Sequence, residues 1–326
     1  MKRLVLIDGH AMVYRAYYAY PALSSPSGQL VNAVYGFMAL LLKTIDELNP
    51  DYLAVAFDLP FPTFRHAAYI AYQAKRKSMD LDMKDQISIV QEVVEAAEIP
   101  IFTAPGFEAD DVIGTIAKQS LQDKGQRTKD KVDEVVVVTG DRDMLQLVGK
   151  GVKICMPAKG ISQTRIFDSK GVHEYLGVTP GQVIDYKALT GDPSDNYPGV
   201  PGIGPKTAVT LIEEYGTLEN IYKRLETRDW RLGKNIAKKL VEGQESGVLS
   251  KELATIRDDV PVEFDLERAK IEGFSENKRL INKLKELGFR SLIARITGKV
   301  AAEEKEKPVK KNPLAGGGGG GQIGLI

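Results

Sequence analysis

Over the first two-thirds of the chain, short β-branched runs alternate with segments of helical spacing. Residues 4–8, 52–58, 99–104, 134–141 and 152–156 are almost continuously apolar, as strands buried on both faces of a parallel sheet must be. Between them, residues 33–48, 84–97 and 109–121 repeat apolar positions at helical intervals. The alternation predicts an α/β domain over residues 1–168, a mostly parallel sheet with flanking helices. From residue 169 the pattern changes to short helices and tight turns. Gly and Pro concentrate at 191–205, and helical spacing returns at 207–215, 218–225, 234–242 and 276–287. Residues 169–298 therefore read as a second, helical domain. Residues 299–326 are a tail, with a charge run at 303–311 and six glycines at 316–321, which make a flexible tether rather than a core.

Length and composition sharpen this picture only slightly. The 326 residues, 43% hydrophobic and 27% charged, suit one large domain or two modest ones. No apolar run is long enough to span a bilayer, and the first one is already strand-like, so neither a membrane nor a secreted protein is expected. A single cysteine, Cys155, excludes an internal disulfide and falls in an apolar strand, as a buried structural thiol would. The expected location is the cytoplasm. Charge balances at 44 basic and 44 acidic residues. Placement matters more: acidic residues punctuate predicted strand ends, and basic ones bunch at 65–77 and 223–239.

Three predicted strands end in aspartate, at Asp8, Asp58 and Asp141, with Asp143 two residues on. Ligands of open α/β sheets sit outside the carboxyl ends of the strands. A fourth strand is followed by Glu108, Asp110 and Asp111 at a helix start, and a later loop carries Asp192 and Asp195. One aspartate after a strand is ordinarily a turn residue or helix cap. The same placement over four elements points instead to a shared pocket. Clustered carboxylates there would repel one another unless cations neutralise them. Hard oxygen ligands suit Mg²⁺ or Mn²⁺, and two such ions can activate water and stabilise a leaving phosphodiester oxygen. A phosphatase that uses aspartate as nucleophile wants a second aspartate two residues after the first, where His10 stands.

Residues 199–208 read GVPGIGPKTA and lead into an apolar-periodic helix. Gly202 and Gly204 allow a tight turn, and Pro205 suits a first helical turn. Exposed N–H groups with Lys206 and Thr207 make a cradle for phosphate. This is a helix-hairpin-helix pattern, which grips a DNA backbone without reading sequence.

With these strings in order, the chain resembles the 5′-nuclease domain of bacterial DNA polymerase I and its flap endonuclease relatives. The residues that carry the likeness are LIDGH with YRAY (6–10, 14–17), AFD (56–58), TFRH (63–66), FEADDVIGT (107–115), TGDRDMLQLV (139–148) and LTGDPSDNYPGVPGIGPKTA (189–208). The resemblance covers roughly residues 1 to 295 and implies a PIN-like fold with a helical arch. It implies metal binding by Asp8, Asp58, Glu108, Asp110, Asp111, Asp141, Asp143, Asp192 and Asp195. The first ion would fall to Asp8, Asp58, Glu108 and Asp110, which with Arg76 would carry catalysis, and the second to Asp141, Asp143, Asp192 and Asp195. Potassium is the ion implied at the hairpin. Arg65, Arg76 and Lys77 would contact phosphate, and Tyr72 would stack on a base or ribose. The family's arch lysine is replaced here by Gln73, two residues from Lys75, and a neutral amide lends no charge to a phosphate under attack. That substitution predicts a slower enzyme or, at the extreme, a junction-binding protein.

No polymerase domain follows, so the chain reads as either a truncated fusion or a stand-alone monomeric nuclease working beside a separate DNA polymerase, and the tail favours the second. The terminus, Gln322 to Ile326 with Leu325, is similar to a sliding-clamp-binding peptide, and the glycine tether would hold it at a loaded clamp.

Overall fold

A computed structural model describes residues 1–76, 78–122, 131–149, 151–157, 164–227 and 233–298. The α/β portion runs β1 (Arg3–Asp8), α1 (Gly9–Ala19), α2 (Asn32–Leu48), β2 (Tyr52–Ala56), α3 (Phe64–Ala68), α4 (Leu81–Ala96), β3 (Ile101–Phe102), α5 (Ala109–Leu121), β4 (Glu134–Val138), β5 (Val152–Pro157) and β6 (Thr164–Phe167). Then follow α6 (Ser169–Leu176), α7 (Val183–Thr190), α8 (Pro205–Tyr215), α9 (Leu218–Glu226), α10 (Lys234–Glu242), α11 (Gln244–Ala254), α12 (Lys278–Glu286) and α13 (Arg290–Ile296). None of the described helices is long and apolar enough to cross a membrane.

The six strands lie in the order β3-β2-β1-β4-β5-β6. The first five are parallel and β6 runs antiparallel to β5. Strand order reverses at β1, which pairs with β2 on one side and β4 on the other. A crevice therefore opens beyond the carboxyl ends of these three strands, where helices leave to opposite faces. Every residue of β2 and β4 is buried, which explains why these strands read as unbroken apolar runs. Cys155 is buried in β5, and burial pushes its thiol up to about 11, which leaves it protonated.

Several elements differ from the sequence expectation. β3 is only two residues long, because Pro100 has no N–H to give a ladder. α1 follows directly on Asp8, whose side chain caps it by accepting from Ala11 N–H. Its burial rests on only Gly9, Met12, Val13 and Ala16 among tyrosines, too narrow a stripe to show as an obvious period. The stretch read as an arch is the five-residue α3 followed by turns through Arg76. Residues 169–298 also divide their loyalty. α7 to α10 continue the core on the α5 face of the sheet, through Ala188, Leu189, Val200, Leu211 and Leu240. α12 and α13 return to the opposite face, where Leu280, Leu284 and Leu292 join the core formed by α1, α2 and α4.

Candidate active site

Asp8 leaves β1 pointing over the sheet edge. Its Oδ1 accepts from Ala11 N–H at 3.0 Å and its Oδ2 from the Thr139 hydroxyl at 2.7 Å. Asp58, two residues past β2, accepts from Ala109 N–H at 2.8 Å, so the start of α5 is pinned to it. His10 Nδ1 accepts from Asp58 N–H at 3.1 Å and stacks edge-on against Phe57, which makes it a support for Asp58. Asp141 lies beyond β4. Its N–H donates to Thr139 at 3.0 Å and its carboxylate accepts from Asp143 N–H at 2.8 Å. Thr139 thereby holds Asp8 and Asp141 in register with each other, a role the sequence did not single out.

These groups border one cavity of about 810 Å³, lined by Asp8, Asp58, Glu108, Asp110, Asp141, Asp143 and Asp195. Burial, then the charge of Asp58, raises Asp8 to about 6. Burial raises Glu108 to about 7 although Arg65 opposes it. Burial, then Asp143, raises Asp141 to about 7. Asp110 is held well above the carboxylate range by burial and by Asp141, Asp8, Asp58 and Glu108 in turn. These are the directions expected of like charges confined together.

The loop between α7 and α8 delivers the remaining carboxylates. It closes on itself, with Asp192 and Tyr197 exchanging backbone hydrogen bonds at 3.0 and 3.2 Å. Behind them Gly191, at φ +69°, lies so near the Pro198 carbonyl carbon that a Cβ would stand 2.6 Å from it. Lys187, on α7, bridges Asp143 and Asp192, with its Nζ 2.5 Å from Asp192 Oδ2. Burial works against the charge on Asp192, but this ammonium holds its carboxyl below the usual range. Asp143 stays raised by burial despite the same lysine, and its other oxygen accepts from the Tyr197 hydroxyl at 3.3 Å. Sequence reading missed Lys187. Its one signal is a lone cation in an otherwise helical segment five residues before Asp192.

Three expected roles need correction. Asp111 does not line the cavity. It is fully buried and forms a two-pronged pair with Arg65 at 2.7 and 2.8 Å, while accepting from Glu108 N–H and Arg257 N–H. Arg65 borders the cavity but is only 3% exposed and donates also to Glu108 and to the Leu253 and Thr255 carbonyls, so its donors are already taken. Tyr72 is only 4% exposed and its hydroxyl meets Glu108 at 3.2 Å and Asp195 at 3.4 Å, which leaves no open ring for stacking. The physical reason is common to all three. The segment from α3 to Arg76 lies down on the carboxylates instead of standing clear of them.

Within that segment Arg76 does face the cavity and pairs with Asp195 at 2.5 Å. Gln73, at φ +55°, also lines it and donates its N–H to the Asp195 carbonyl at 2.8 Å. Lys75 is exposed and away from the cavity, and Asp192 lies behind Lys187 rather than on the cavity wall. Gly204, Lys206 and Thr207 open α8, with Pro205 in its first turn and Lys206 exposed. At the neighbouring Gly202, in the hairpin where potassium is implied, the carbonyl accepts from Lys239 Nζ at 3.0 Å, so this oxygen already faces an ammonium. Lys77, Gln322, Leu325 and Ile326 lie outside the described residues.

The donor set suits hard divalent cations, with one qualification. Among the described residues no three His, Cys, Asp or Glu side chains stand together in a geometry that would hold an ion directly. The carboxylates are spaced around the cavity, and several of their oxygens are taken by Lys187, Arg76 and Tyr72. Such spacing fits ions that keep several waters and use only one or two direct carboxylates, as Mg²⁺ does.

Two sequence models of known families match the chain: one described as the 5′-3′ exonuclease N-terminal resolvase-like domain, over residues 3–177, and one as its C-terminal SAM fold, over 178–277. DNA polymerase I of Bacillus caldotenax is 39% identical over 310 residues, covering 95% of this chain and 34% of that protein. DNA polymerase I of Bacillus subtilis (strain 168) is 37% identical, with the same shares covered. The chain thus spans about a third of the length of these curated relatives. T5 5′-exonuclease with bound divalent metal ions (zinc) has a similar fold, with a TM-score of 0.62 at 18% identity, covering 91% of this chain and 97% of that one. The catalytic core of Rad2 in complex with a DNA substrate aligns with a TM-score of 0.54 at 19% identity, covering 93% and 92%.

If Arg65 and Asp111 form a structural pair, Asp111→Ala strands a buried guanidinium and lowers unfolding free energy by about 3–5 kcal/mol. Urea denaturation measures this, and an unchanged midpoint would return Arg65 to the phosphate-contact role. The raised carboxyls have a consequence of opposite sign. The folded state binds their protons more tightly than the unfolded chain, so their contribution to stability is greatest below the unfolded value near 4. It is lost as pH rises toward about 7. In chelator, the melting temperature of Asp141→Asn should fall less steeply from pH 5 to 7.5 than that of the wild type. Parallel slopes in calorimetry would contradict the assignment.

Proposed function

The chain belongs to the 5′-3′ exonuclease family, and on that premise we propose that it is a divalent-metal-dependent 5′-3′ exonuclease and 5′-flap endonuclease. Its substrate is DNA with a 5′ end or 5′ flap, in Okazaki fragment processing and repair. One observation carries the reading. At the strand-order reversal Asp8, Asp58, Glu108, Asp110 and Asp141 converge on one cavity, and among the described residues no donor hydrogen-bonds the Asp110 carboxylate.

Asp8, Asp58, Glu108 and Asp110 would hold a first Mg²⁺ or Mn²⁺, and Asp141, Asp143, Asp192 and Asp195 a second, directly or through water. Bound there, the ions supply a water nucleophile of lowered pKa and neutralise charge on the leaving oxygen. Thr139 and His10 keep Asp8 and Asp58 in place through their hydrogen bonds. Arg76, once released from Asp195, offers its guanidinium to the scissile phosphate. The α8 N-terminus, with Gly202, Gly204, Lys206 and Thr207, holds the duplex backbone at a distance from the cut. Lys75 and Lys77 add exposed charge on the entering strand. Gln73 lines the cavity without charge and limits the rate. The tail peptide Gln322, Leu325 and Ile326 tethers the enzyme to a sliding clamp beside a separate polymerase, in the cytoplasm at the nucleoid and as a monomer. Deleting 322–326 should abolish clamp capture in a pulldown.

One observation favours a weaker catalyst that binds junctions. Tyr72 and Arg76 cover Glu108 and Asp195 with no lysine at position 73 to compensate. A labelled 5′-flap DNA separates the readings. The proposal expects Mg²⁺- or Mn²⁺-dependent cleavage, none in EDTA, a loss of at least about a hundredfold in Asp141→Ala, and faster single-turnover cleavage in Gln73→Lys. Cleavage in EDTA or full activity in Asp141→Ala sinks the mechanism, and tight binding without cleavage selects the junction binder.

A further inference from the structure

The loop that leads into α8 meets a cation supplied by the chain itself. Gly202 stands at φ +80°, and its carbonyl accepts from Lys239 Nζ at 3.0 Å. The lysine stem crosses Gly202 so closely that a Cβ there would lie 3.0 Å from Lys239 Cε. Glycine at 202 is called for by its left-handed backbone, and the end of the lysine lies directly against it.

Packing at the far end of α10 fixes this approach. A Cβ on Gly243 would lie 2.8 Å from Val200 Cγ1 and 3.0 Å from Pro201 Cδ, and one on Gly247 would lie 2.9 Å from Val200 Cγ2. The corner between α10 and α11 is therefore seated against Val200 and Pro201, and the last turn of α10 carries Lys239 across the hairpin. Other hairpin carbonyls are engaged as well: Val200 O accepts from Ile203 N–H at 3.0 Å and Gly204 O from Ala208 N–H at 2.9 Å. A monovalent ion at Gly202 would have to share one oxygen with an ammonium, and like charges that close repel.

We propose that Lys239 is a positioning residue that takes the place of a monovalent cation in the hairpin. It holds the Gly202 carbonyl turned away from the α8 N-terminus, so that the N–H groups there face a phosphate in any salt. This rests on reading residues 199–208 as the grip on the DNA backbone.

The test compares full-length wild type, Lys239→Met and Lys239→Arg on a fluorescent 5′-flap DNA in Ca²⁺. Binding is measured in KCl, NaCl and tetramethylammonium chloride at equal ionic strength. Wild type and Lys239→Arg should bind equally in all three salts. Lys239→Met should bind about tenfold more weakly in NaCl and tetramethylammonium, with much of the loss restored in KCl, where the vacated carbonyl can take the ion. Melting temperatures without DNA give a second readout: only Lys239→Met should be stabilised by K⁺ over Na⁺. Wild-type binding or stability that selects K⁺ overturns the proposal, and needs no variant to fold. A uniform loss in every salt makes Lys239 a simple phosphate contact and overturns it too, as does a Lys239→Met indistinguishable from wild type. Failure of the wild type to bind DNA at all would defeat the proposed function, while the melting comparison would still decide the role of Lys239.

Discussion

Two like charges about 4 Å apart repel by about 4 kcal/mol at the effective dielectric of a protein surface, and seven carboxylates border one cavity here. The surrounding structure contains that repulsion by three means. Backbone N–H groups at the starts of α1 and α5 donate to Asp8 and Asp58. Hydroxyls of Thr139, Tyr72 and Tyr197 reach Asp8, Glu108 and Asp143. Cations from three different elements, Arg65, Arg76 and Lys187, neutralise the outer members of the set. Among the described residues none of these reaches Asp110, so the repulsion around it is the least contained. The chain as a whole carries no net charge, so its acidity is local and is maintained by placement.

The cationic partners divide into two kinds. Arg65 and Asp111 are buried and tie α3, α5 and the end of α11 into one block. That block is the platform on which Glu108 stands. Arg76 lines the cavity and pairs with Asp195, while Lys187 pairs with Asp143 of the cavity wall and with Asp192. The Arg76 pair can be exchanged for a stronger cation at modest cost, because Arg76 is half exposed to water.

Much of this arrangement was legible beforehand. Asp8, Asp58 and Asp141 follow buried parallel strands, and a parallel sheet brings all such ends to one edge. Asp110 and Asp111 were not separable by sequence. Adjacent helical residues point about 100° apart, and only the buried neighbours Gly114 and Thr115 mark the face that turns Asp111 inward. Arg65 read as a phosphate contact because its partners lie 46 and 190 residues away. The partners of Lys187 and Lys239 were not legible, because each lysine acts on a loop whose path is set by glycine contacts that no local pattern encodes. The antiparallel β6 escaped notice because three of its four residues are exposed, which erases the apolar run.

Long-range closure also bears on how the chain is made. Arg65 needs the carbonyls of Leu253 and Thr255, and α2 needs Ser291 and Arg295 from α13 to reach Tyr35 and Asp46. A ribosome delivers the chain from its N-terminus, and all five strands that carry or flank the acidic cluster emerge well before these partners. The nascent sheet therefore waits with its platform unfinished until α11 has left the exit tunnel, and the α1, α2 and α4 layer lacks its outer cover until α12 and α13 follow. The block under Glu108 is thus closed only once Thr255 has emerged, however early its strands are made.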